Sequence, residues 1–160
     1  MKGAVAADET HLLFVVSGGE FAVPVRAVLA VCGRGPVAAA PKNPPYLSGL
    51  MGIAGRLLPL IDLRPCLGLE EPPEGATPGY ALVVGTGRQL AAVEADGVTG
   101  LRPLPRDGFP AMPSLVPAEA RRLFAGVFYR GRSIIPVVDV EALLAGLASP
   151  GWEGWDDERL

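Results

Sequence analysis

Cysteine and histidine are nearly absent from this 160-residue sequence, which leaves little material for a metal site or a disulfide scaffold. The single histidine is His11, and the two cysteines, Cys32 and Cys66, are 34 residues apart without a Cys-x-x-Cys pair. Zinc sites use about four nitrogen and sulfur ligands in characteristic close spacings, so we expect no bound metal. Secreted disulfide frameworks use more cysteines than this, so a reducing cytoplasm is the expected compartment.

Charged residues are also scarce, at 19% of the chain against roughly 25% in typical soluble domains. The net charge is −3, and the last nine residues alone carry four acidic side chains and one arginine, so the body is close to neutral. Nucleic acids and anionic membranes bind basic surfaces, so neither is an expected partner. The low charge has two open interpretations: an apolar surface made for a complex, or compositional bias in a chain with 12 arginines and 2 lysines.

Long apolar runs are missing as well. No segment approaches the roughly 20 consecutive apolar residues that span a bilayer. Asp8 and Glu9 interrupt the apolar start of the chain before it reaches the length of a signal-peptide core. We therefore expect neither a membrane-inserted helix nor a secretory signal.

Recognisable catalytic groupings do not occur either. The sequence has no Gly-x-Ser-x-Gly elbow and no serine, histidine and aspartate set. Gly85-Thr-Gly87 is followed by a strand pattern, which favours a turn over a phosphate-binding loop. Asp62 and Asp139 are candidates for an acid–base pair, but each ends an apolar run and precedes a helix-like stretch, which favours helix N-caps. The sequence therefore predicts a protein that is not an enzyme and has no cofactor.

Short apolar runs separated by turn residues dominate the sequence and predict a mainly β protein. Ser17-Gly-Gly-Glu20 and Gly85-Thr-Gly-Arg88 separate pairs of such runs, as hairpin turns do. Two short segments have helical character, Pro117–Phe124 and Asp139–Leu147. The second segment places four apolar residues on one face: Val140, Leu143, Leu144 and Leu147. The predicted strands are 12–16, 21–25, 28–32, 57–61, 82–84, 90–93, 98–104, 126–129 and 134–138.

Two segments of the chain resemble each other. Residues 55–63 read Gly-Arg-Leu-Leu-Pro-Leu-Ile-Asp-Leu, and residues 131–140 read Gly-Arg-Ser-Ile-Ile-Pro-Val-Val-Asp-Val. This internal similarity, together with the two hairpins, predicts two similar small barrels. Proline within a strand belongs at an edge or a bulge, so Pro24, Pro59 and Pro136 are expected at barrel corners.

The stretch Tyr46–Arg64 resembles the central motif of CheW-like domains, in which Asn-Leu-Arg-Gly is followed by a strand ending in Pro-x-x-Asp-Leu. Four further segments match that family in order. They are the opening hairpin at 21–25, the next strand at 28–31, a Val-Asp-x-Val element at 93–98, and the closing strand and helix at 134–144. Each motif alone has low specificity, but five in register over residues 11–147 make the resemblance fairly specific.

The resemblance implies two packed five-stranded SH3-like barrels with a short C-terminal helix. It implies one domain over residues 11–147, with intertwined halves near 11–70 and 80–147, followed by an acidic and aromatic tail at 148–160. The implied function is a non-enzymatic cytoplasmic adaptor that couples chemoreceptors to a histidine kinase. Its implied partners are the receptor signalling tip, the kinase regulatory domain and other CheW-like proteins. The residues implied to be structural are Gly49, Gly55, Pro59, Asp62, Asp96, Pro136 and Asp139.

The residues that would make polar contacts depart from the family pattern. Gly52-Ile-Ala-Gly55 stands where the family has Asn-Leu-Arg-Gly, Ala30 stands where glutamate is common, and Ser48 where lysine is frequent. Arginine and glutamate give a protein contact charge-assisted specificity that alanine cannot supply. The implied partner-binding residues are Val28, Ala30, Ser48, Gly52, Ile53, Ala54 and Arg56.

Two explanations of these departures stay open. Either the binding surface has become more apolar, or one partner has been abandoned. The second case describes an accessory adaptor that binds receptors or other adaptors but not the kinase, as in the Frizzy-type pathway of gliding bacteria. A ligand-binding regulatory barrel is the alternative from another class. The tail, with Trp152 and Trp155 among acidic residues, is either a docking motif or a solvated end that folds one indole back.

Overall fold

The computed structural model describes residues 7–40, 44–70, 79–87 and 89–147. The predicted tail at 148–160 lies outside the described residues. The described chain contains three short α-helices, α1 (Arg64–Leu67), α2 (Ala118–Arg121) and α3 (Val140–Leu147), and a 3₁₀ turn at Val25–Ala27. Its eleven strands are β1 (Asp8–Val16), β2 (Gly19–Pro24), β3 (Val28–Gly33), β4 (Val37–Ala38), β5 (Leu47–Ile53), β6 (Arg56–Ile61), β7 (Tyr80–Thr86), β8 (Gln89–Ala95), β9 (Gly97–Pro105), β10 (Phe124–Arg130) and β11 (Ser133–Val138).

The strands form two sheets, one in the order β10-β11-β2-β1-β9 and one in the order β3-β7-β8-β6-β5-β4. The mainly β fold with short helices is therefore confirmed, although neither sheet closes its hydrogen bonding into a complete barrel. The intertwined halves near 11–70 and 80–147 stay a prediction, and each sheet contains strands from both of these ranges. The first hairpin pairs with the last strands, because β1 lies against β9 and β2 lies against β11, while β3 to β8 form the second sheet.

Two strands missing from the sequence prediction, β4 and β5, complete the six-stranded sheet. The glycines of β5 obscured its apolar pattern, yet Leu47, Gly49 and Met51 are all buried on alternate positions. A Cβ added at Gly49 would lie 2.7 Å from the carbonyl oxygen of Ala38, so β4 approaches β5 too closely for a side chain there. Glycine in this strand thus marks a close packing of two backbones.

Three apolar clusters hold the sheets together. The largest contains side chains from both sheets and from α3, whose four predicted apolar residues are all buried. Side chains along β1 alternate between the two faces of its sheet. Leu12 and Phe14 belong to this cluster, and Leu13 belongs to a second cluster within the five-stranded sheet. The third cluster, around Met51 and Leu60, lies within the six-stranded sheet.

His11 is buried within β1. It lies four residues into its paired strand, is 1% exposed, and packs edge-to-face on Phe109 with 6.1 Å between ring centroids. Its Nδ1 lies 2.9 Å from the backbone oxygen of Glu9, which accounts for one ring nitrogen. This histidine is buried because the strand pairing begins as early as Asp8. The polar residues at the start of β1 concealed that boundary in the sequence.

The two similar segments adopt matching strand geometry. Each segment forms a strand that begins after a two-residue turn. In each strand, the proline directly precedes the first residue that pairs with a parallel neighbouring strand. Those bridges are Leu60 to Ala92 and Val137 to Ala22. Pro59 and Pro136 thus fall where their strands lack a partner on one side, which is the position that a residue without an N–H can occupy. Pro24 ends β2.

Candidate partner-binding surface

The tip of the β5–β6 hairpin carries Ala54, an exposed member of the predicted contact residues. Ala54 and Gly55 form a two-residue turn with φ of +49° and +77°, and Ile53 pairs with Arg56 on either side of it. Both values belong to the left-handed region that such tight hairpin turns require. No heavy atom lies within 4 Å of a Cβ added at Gly55, so the turn projects from the fold. The side chain at position 54 therefore stands at an exposed tip.

The remaining predicted contact residues divide between this hairpin and the opposite edge of the same sheet. Gly52 and Ser48 are half-buried on β5, and the Ser48 hydroxyl donates to the backbone oxygen of Leu60 at 3.3 Å. Val28 and Ala30 lie on β3, which pairs only with β7 within the described ranges. The sheet curls, because Cys32 of β3 and Ile53 of β5 pack on the same small apolar cluster.

Strands β3, β4 and β5 contain no charged residue. Four large aliphatic side chains along this sheet are exposed, and we call them the apolar edge: Leu29 (59%), Val31 (43%), Val37 (37%) and Leu57 (48%). Natural edge strands are usually protected by charges or prolines, and the edge strand β9 of the other sheet has Arg102, Pro103 and Pro105. Sequence reasoning missed the apolar edge, although the lack of charge in residues 28–33 was a visible signal.

A short segment crosses from β3 to β4 and lies against the hairpin; we call residues 33–38 the strap. The backbone N–H of Gly52 donates to the Pro36 oxygen at 2.9 Å, and the N–H of Arg34 donates to the Gly79 oxygen at 3.1 Å. A Cβ at Gly35 would lie 2.5 Å from the Gly52 oxygen, so the strap packs directly on β5. The strap thereby connects the two groups of predicted contact residues.

Beneath the strap lies a chain of four charged side chains. Arg34 Nε donates to Glu94 Oε1 at 3.2 Å, and Arg64 donates to Glu94 Oε2 at 3.0 Å. Arg64 also binds both oxygens of Asp62, at 2.8 and 3.1 Å. The side chains of Arg64 and Glu94 are only 5% and 6% exposed, so this is a buried network.

Asp62 therefore has a different role from the predicted N-cap. Leu63 occupies the N-cap position of α1, while the Asp62 carboxylate accepts the Arg64 backbone N–H at 3.0 Å and the Arg64 guanidinium. Asp139 does act as the N-cap of α3, because its Oδ1 accepts the N–H of Ala142 at 3.1 Å. The two aspartates differ because Asp62 is followed by Arg64, whose guanidinium binds it, whereas Asp139 is followed directly by a regular helix.

Burial dominates the electrostatics of this network. It raises the pKa of Glu94, and the nearby charge of Asp62 adds to that effect, while Arg34 and Arg64 oppose it. Burial alone would lower the pKa of Arg64, but its bonds and charges with Asp62 and Glu94 prevail and raise it. Burial also raises the pKa of the Cys66 thiol to about 11, with a further contribution from Asp62. Cys66 is thus a poor nucleophile at neutral pH.

Asp96 connects the two sheets near the first hairpin. It follows β8, and its Oδ2 accepts the backbone N–H of Ser17 at 2.7 Å. Its own N–H donates to the Val15 oxygen at 2.8 Å. Because Ser17 lies in the β1–β2 turn, these bonds fix the orientation of that turn relative to the six-stranded sheet.

Two clefts of the described chain are bordered by residues outside the apolar edge. One of about 670 Å³ is bordered by Tyr46, Cys66, Leu123 and α3. Another of about 240 Å³ is bordered by His11, Arg26, Arg106 and the start of α3. Within the described ranges, no cluster of three histidine, cysteine or acidic side chains is placed to hold a metal. No helix of those ranges has the length and apolar character of a membrane span.

The CheW-like domain family model matches residues 10–148. The chain belongs to the CheW-like family. This membership confirms the expected non-enzymatic, chemotaxis-adaptor class, since members of the family are adaptors and scaffolds.

Relatives and one solved structure agree with the assignment. The chain is 24% identical to the probable chemotaxis protein CheW of Rhizobium etli over 91% of its own length and 93% of the relative's. It is 35% identical to protein FrzA of Myxococcus xanthus over 61% of each chain. The crystal structure of the scaffolding protein TtCheW from Thermoanaerobacter tengcongensis superposes with a TM-score of 0.69 at 16% identity, covering 90% of this chain and 95% of that one. The last comparison establishes the fold.

Proposed function

We propose that this protein is a cytoplasmic signalling adaptor that couples a chemoreceptor signalling tip to the regulatory domain of a histidine kinase. The coupling contact is made through the apolar edge and the β5–β6 hairpin, with Val28, Ala30, Ser48, Gly52, Ile53, Ala54 and Arg56 as its contact residues. Both cysteines are free thiols, as a reducing compartment requires.

The observation that supports this proposal is the uncharged edge strand β3. Its exposed Leu29 and Val31, and the side on which it pairs with no strand of the described ranges, suit a protein partner, because such an edge is otherwise prone to uncontrolled association. The positions at which the family carries charged residues hold Ala30, Ser48 and Ala54 instead. We therefore interpret the contact as apolar in character, with specificity set by shape more than by ion pairs.

A second candidate is an accessory adaptor that binds receptors or other CheW-like proteins but not the kinase. The replacement of the hairpin arginine by Ala54 favours it, because an arginine anchor typically contributes about 2 kcal/mol or more to a protein contact. The similarity to FrzA is compatible with this alternative. A ligand-binding regulatory barrel would instead use the cleft beside Tyr46 and Cys66.

Titration calorimetry with the purified kinase regulatory domain distinguishes these functions. Val31→Glu places a charge in the apolar edge and should weaken kinase binding about tenfold or more, since an unpaired charge is then desolvated on binding. Ile134→Glu is the matched control, because Ile134 is 45% exposed on the other sheet against 43% for Val31. Equal losses in the two variants would contradict the proposed surface.

The double variant Gly52→Asn and Ala54→Arg restores the family residues and separates the two adaptor functions. If the wild type binds the kinase and restoration weakens that binding, the hairpin belongs to a rebuilt apolar interface. If the wild type binds only receptor fragments or a second adaptor and restoration creates kinase binding, the protein is the accessory adaptor. Absence of binding to all three partners would rule out the adaptor function for this surface.

A further inference from the structure

The strap has little side-chain attachment of its own. Residues 33–35 are Gly-Arg-Gly, so Arg34 is the one residue of the three that has a side chain. Glycine on both sides increases the conformational freedom that ordering must remove. Strand β4 supplies only the bridges Val37 to Met51 and Ala38 to Leu50. The position of the strap therefore depends strongly on what Arg34 binds.

Arg34 binds a carboxylate that is already fixed. Its Nε lies 3.2 Å from Glu94 Oε1, and the other oxygen of Glu94 accepts from Arg64 at 3.0 Å. Arg64 is held in turn by both oxygens of Asp62. Glu94 thus has a partner on each oxygen, one from the interior and one from the strap, and removal of Arg34 does not leave the carboxylate unpaired.

The strap connects the parts of the apolar edge that lie on β3 and on β4. Val31 lies before the strap in β3, Val37 lies within it, and Gly52 of the hairpin is hydrogen-bonded to it. A change at Arg34 would therefore move both groups of contact residues relative to each other. The Arg34 side chain itself is 23% exposed, so most of it is unavailable to a partner.

We propose that Arg34 is a positioning residue of the partner-binding surface, which holds the strap in its binding conformation through the Glu94 carboxylate. This inference rests on the proposed function for its consequence in binding. Its structural part, the attachment of the strap, is measurable on the free protein.

Hydrogen exchange of the free protein tests the attachment. Arg34→Met should accelerate exchange of the Arg34 and Gly52 amides, which donate to Gly79 and Pro36, and leave the Asp62 amide unchanged. The melting temperature should fall by less than about 4 °C, because the Glu94–Arg64 pair remains. Arg34→Lys keeps the charge and should restore most of the protection. Arg26→Met, which removes the ion pair between a 65% exposed arginine and Glu9 of β1, is the control.

Binding of the partner identified for the wild type provides the functional measurement. If the strap occupies its binding conformation a tenth of the time in Arg34→Met, the apparent Kd rises about tenfold. Faster exchange at Arg34 and Gly52 with this loss of affinity, both recovered in Arg34→Lys, supports the proposal.

Unchanged exchange at those amides overturns the proposal, and so does faster exchange with unchanged affinity. An equal loss of affinity in Arg26→Met also overturns it. If the wild type binds no kinase, receptor or adaptor fragment, the proposed function fails, and the exchange measurement alone decides whether Arg34 holds the strap.

Discussion

The two Pro-x-x-Asp segments of this chain have similar sequences and similar strands, but their aspartates have different partners. In the first segment, Asp62 is 9% exposed and binds the guanidinium of Arg64 within a buried network. In the second, Asp139 is half-buried and caps an eight-residue helix through the Ala142 N–H. The residue that follows the motif explains the contrast, since Leu63-Arg64 brings a cation and Val140-Glu141 begins a regular amphipathic helix. Similar strand sequences thus specify similar strands, while the role of the shared aspartate depends on its neighbours.

The turns that precede the two segments differ in a related way. The first turn has glycine at its second position, with Ala54 and Gly55 both at positive φ. The second has glycine at its first position, where Gly131 has φ of +60°. These are the requirements of two different tight hairpin turns. The first arrangement places a side-chain-bearing residue at the exposed tip of the predicted contact surface.

Among the substitutions that test this comparison, removal of the Arg64 side chain should have the largest effect on the free energy of unfolding. Arg64→Met leaves Asp62 without its partner and Glu94 with Arg34 alone, so we expect a loss of about 3–5 kcal/mol in the free energy of unfolding. Urea unfolding followed by circular dichroism measures it. Arg26→Met serves as control, because Arg26 is 65% exposed and solvent therefore screens part of its interaction with Glu9. Similar small losses in both variants would mean that the buried network contributes no more than a surface pair.

Truncation of the two aspartates compares the segments directly. Asp139→Ala removes an N-cap and should cost about 1 kcal/mol. Asp62→Ala should cost clearly more, about 3 kcal/mol, because it leaves part of a buried guanidinium without a partner. This exceeds the effect expected from the sequence, where Asp62 was predicted to be only an N-cap. Unfolding curves of equal midpoint for the two variants would contradict the distinction.

Substitution of the turn glycines should affect the two segments equally. No atom lies within 4 Å of a Cβ at Gly55 or Gly131, so the constraint on both residues is the positive φ and not close packing. Gly55→Val and Gly131→Val should each cost about 1–2 kcal/mol, the cost of a left-handed conformation for a side chain. Thermal unfolding of both variants checks this. A much larger loss for Gly55→Val would indicate a packing restriction at the first turn.

The smallest effect concerns the thiol that follows the first segment. Burial and the charge of Asp62 raise the pKa of Cys66 to about 11, so its alkylation by iodoacetamide should reach half its maximal rate near that pH. Because the unfolded chain loses this proton at a lower pH than the folded protein, stability should fall as the pH rises from about 9 to about 11. Mass spectrometry of the Cys66 peptide measures the rate. Asp62→Asn should shift the profile slightly to lower pH, and no shift would exclude a contribution from the Asp62 charge.

Local patterns were sufficient to predict several features of the candidate site. The strand that ends at Asp62 and the buried face of α3 follow from hydrophobic period. The network of Arg34, Glu94 and Arg64 was not predictable. Its members lie up to 60 residues apart in the chain, and no spacing rule relates them. The apolar edge lies between these cases, because its lack of charge is visible in sequence but its exposure is not.

The sequence by itself determined nine of the eleven described strands, the first hairpin turn and the adaptor family, because these depend on neighbouring residues and on motifs in register. Only the tertiary structure decided that β1 and β2 pair with the last strands of the chain, and that β3 is an uncharged edge strand whose one partner within the described residues is β7. It also decided that one Pro-x-x-Asp aspartate belongs to a buried ion network and the other to a helix cap. The physical reason is that pairing between distant strands and burial of charge are set by the free energy of the whole packed core, to which each local segment contributes only a part.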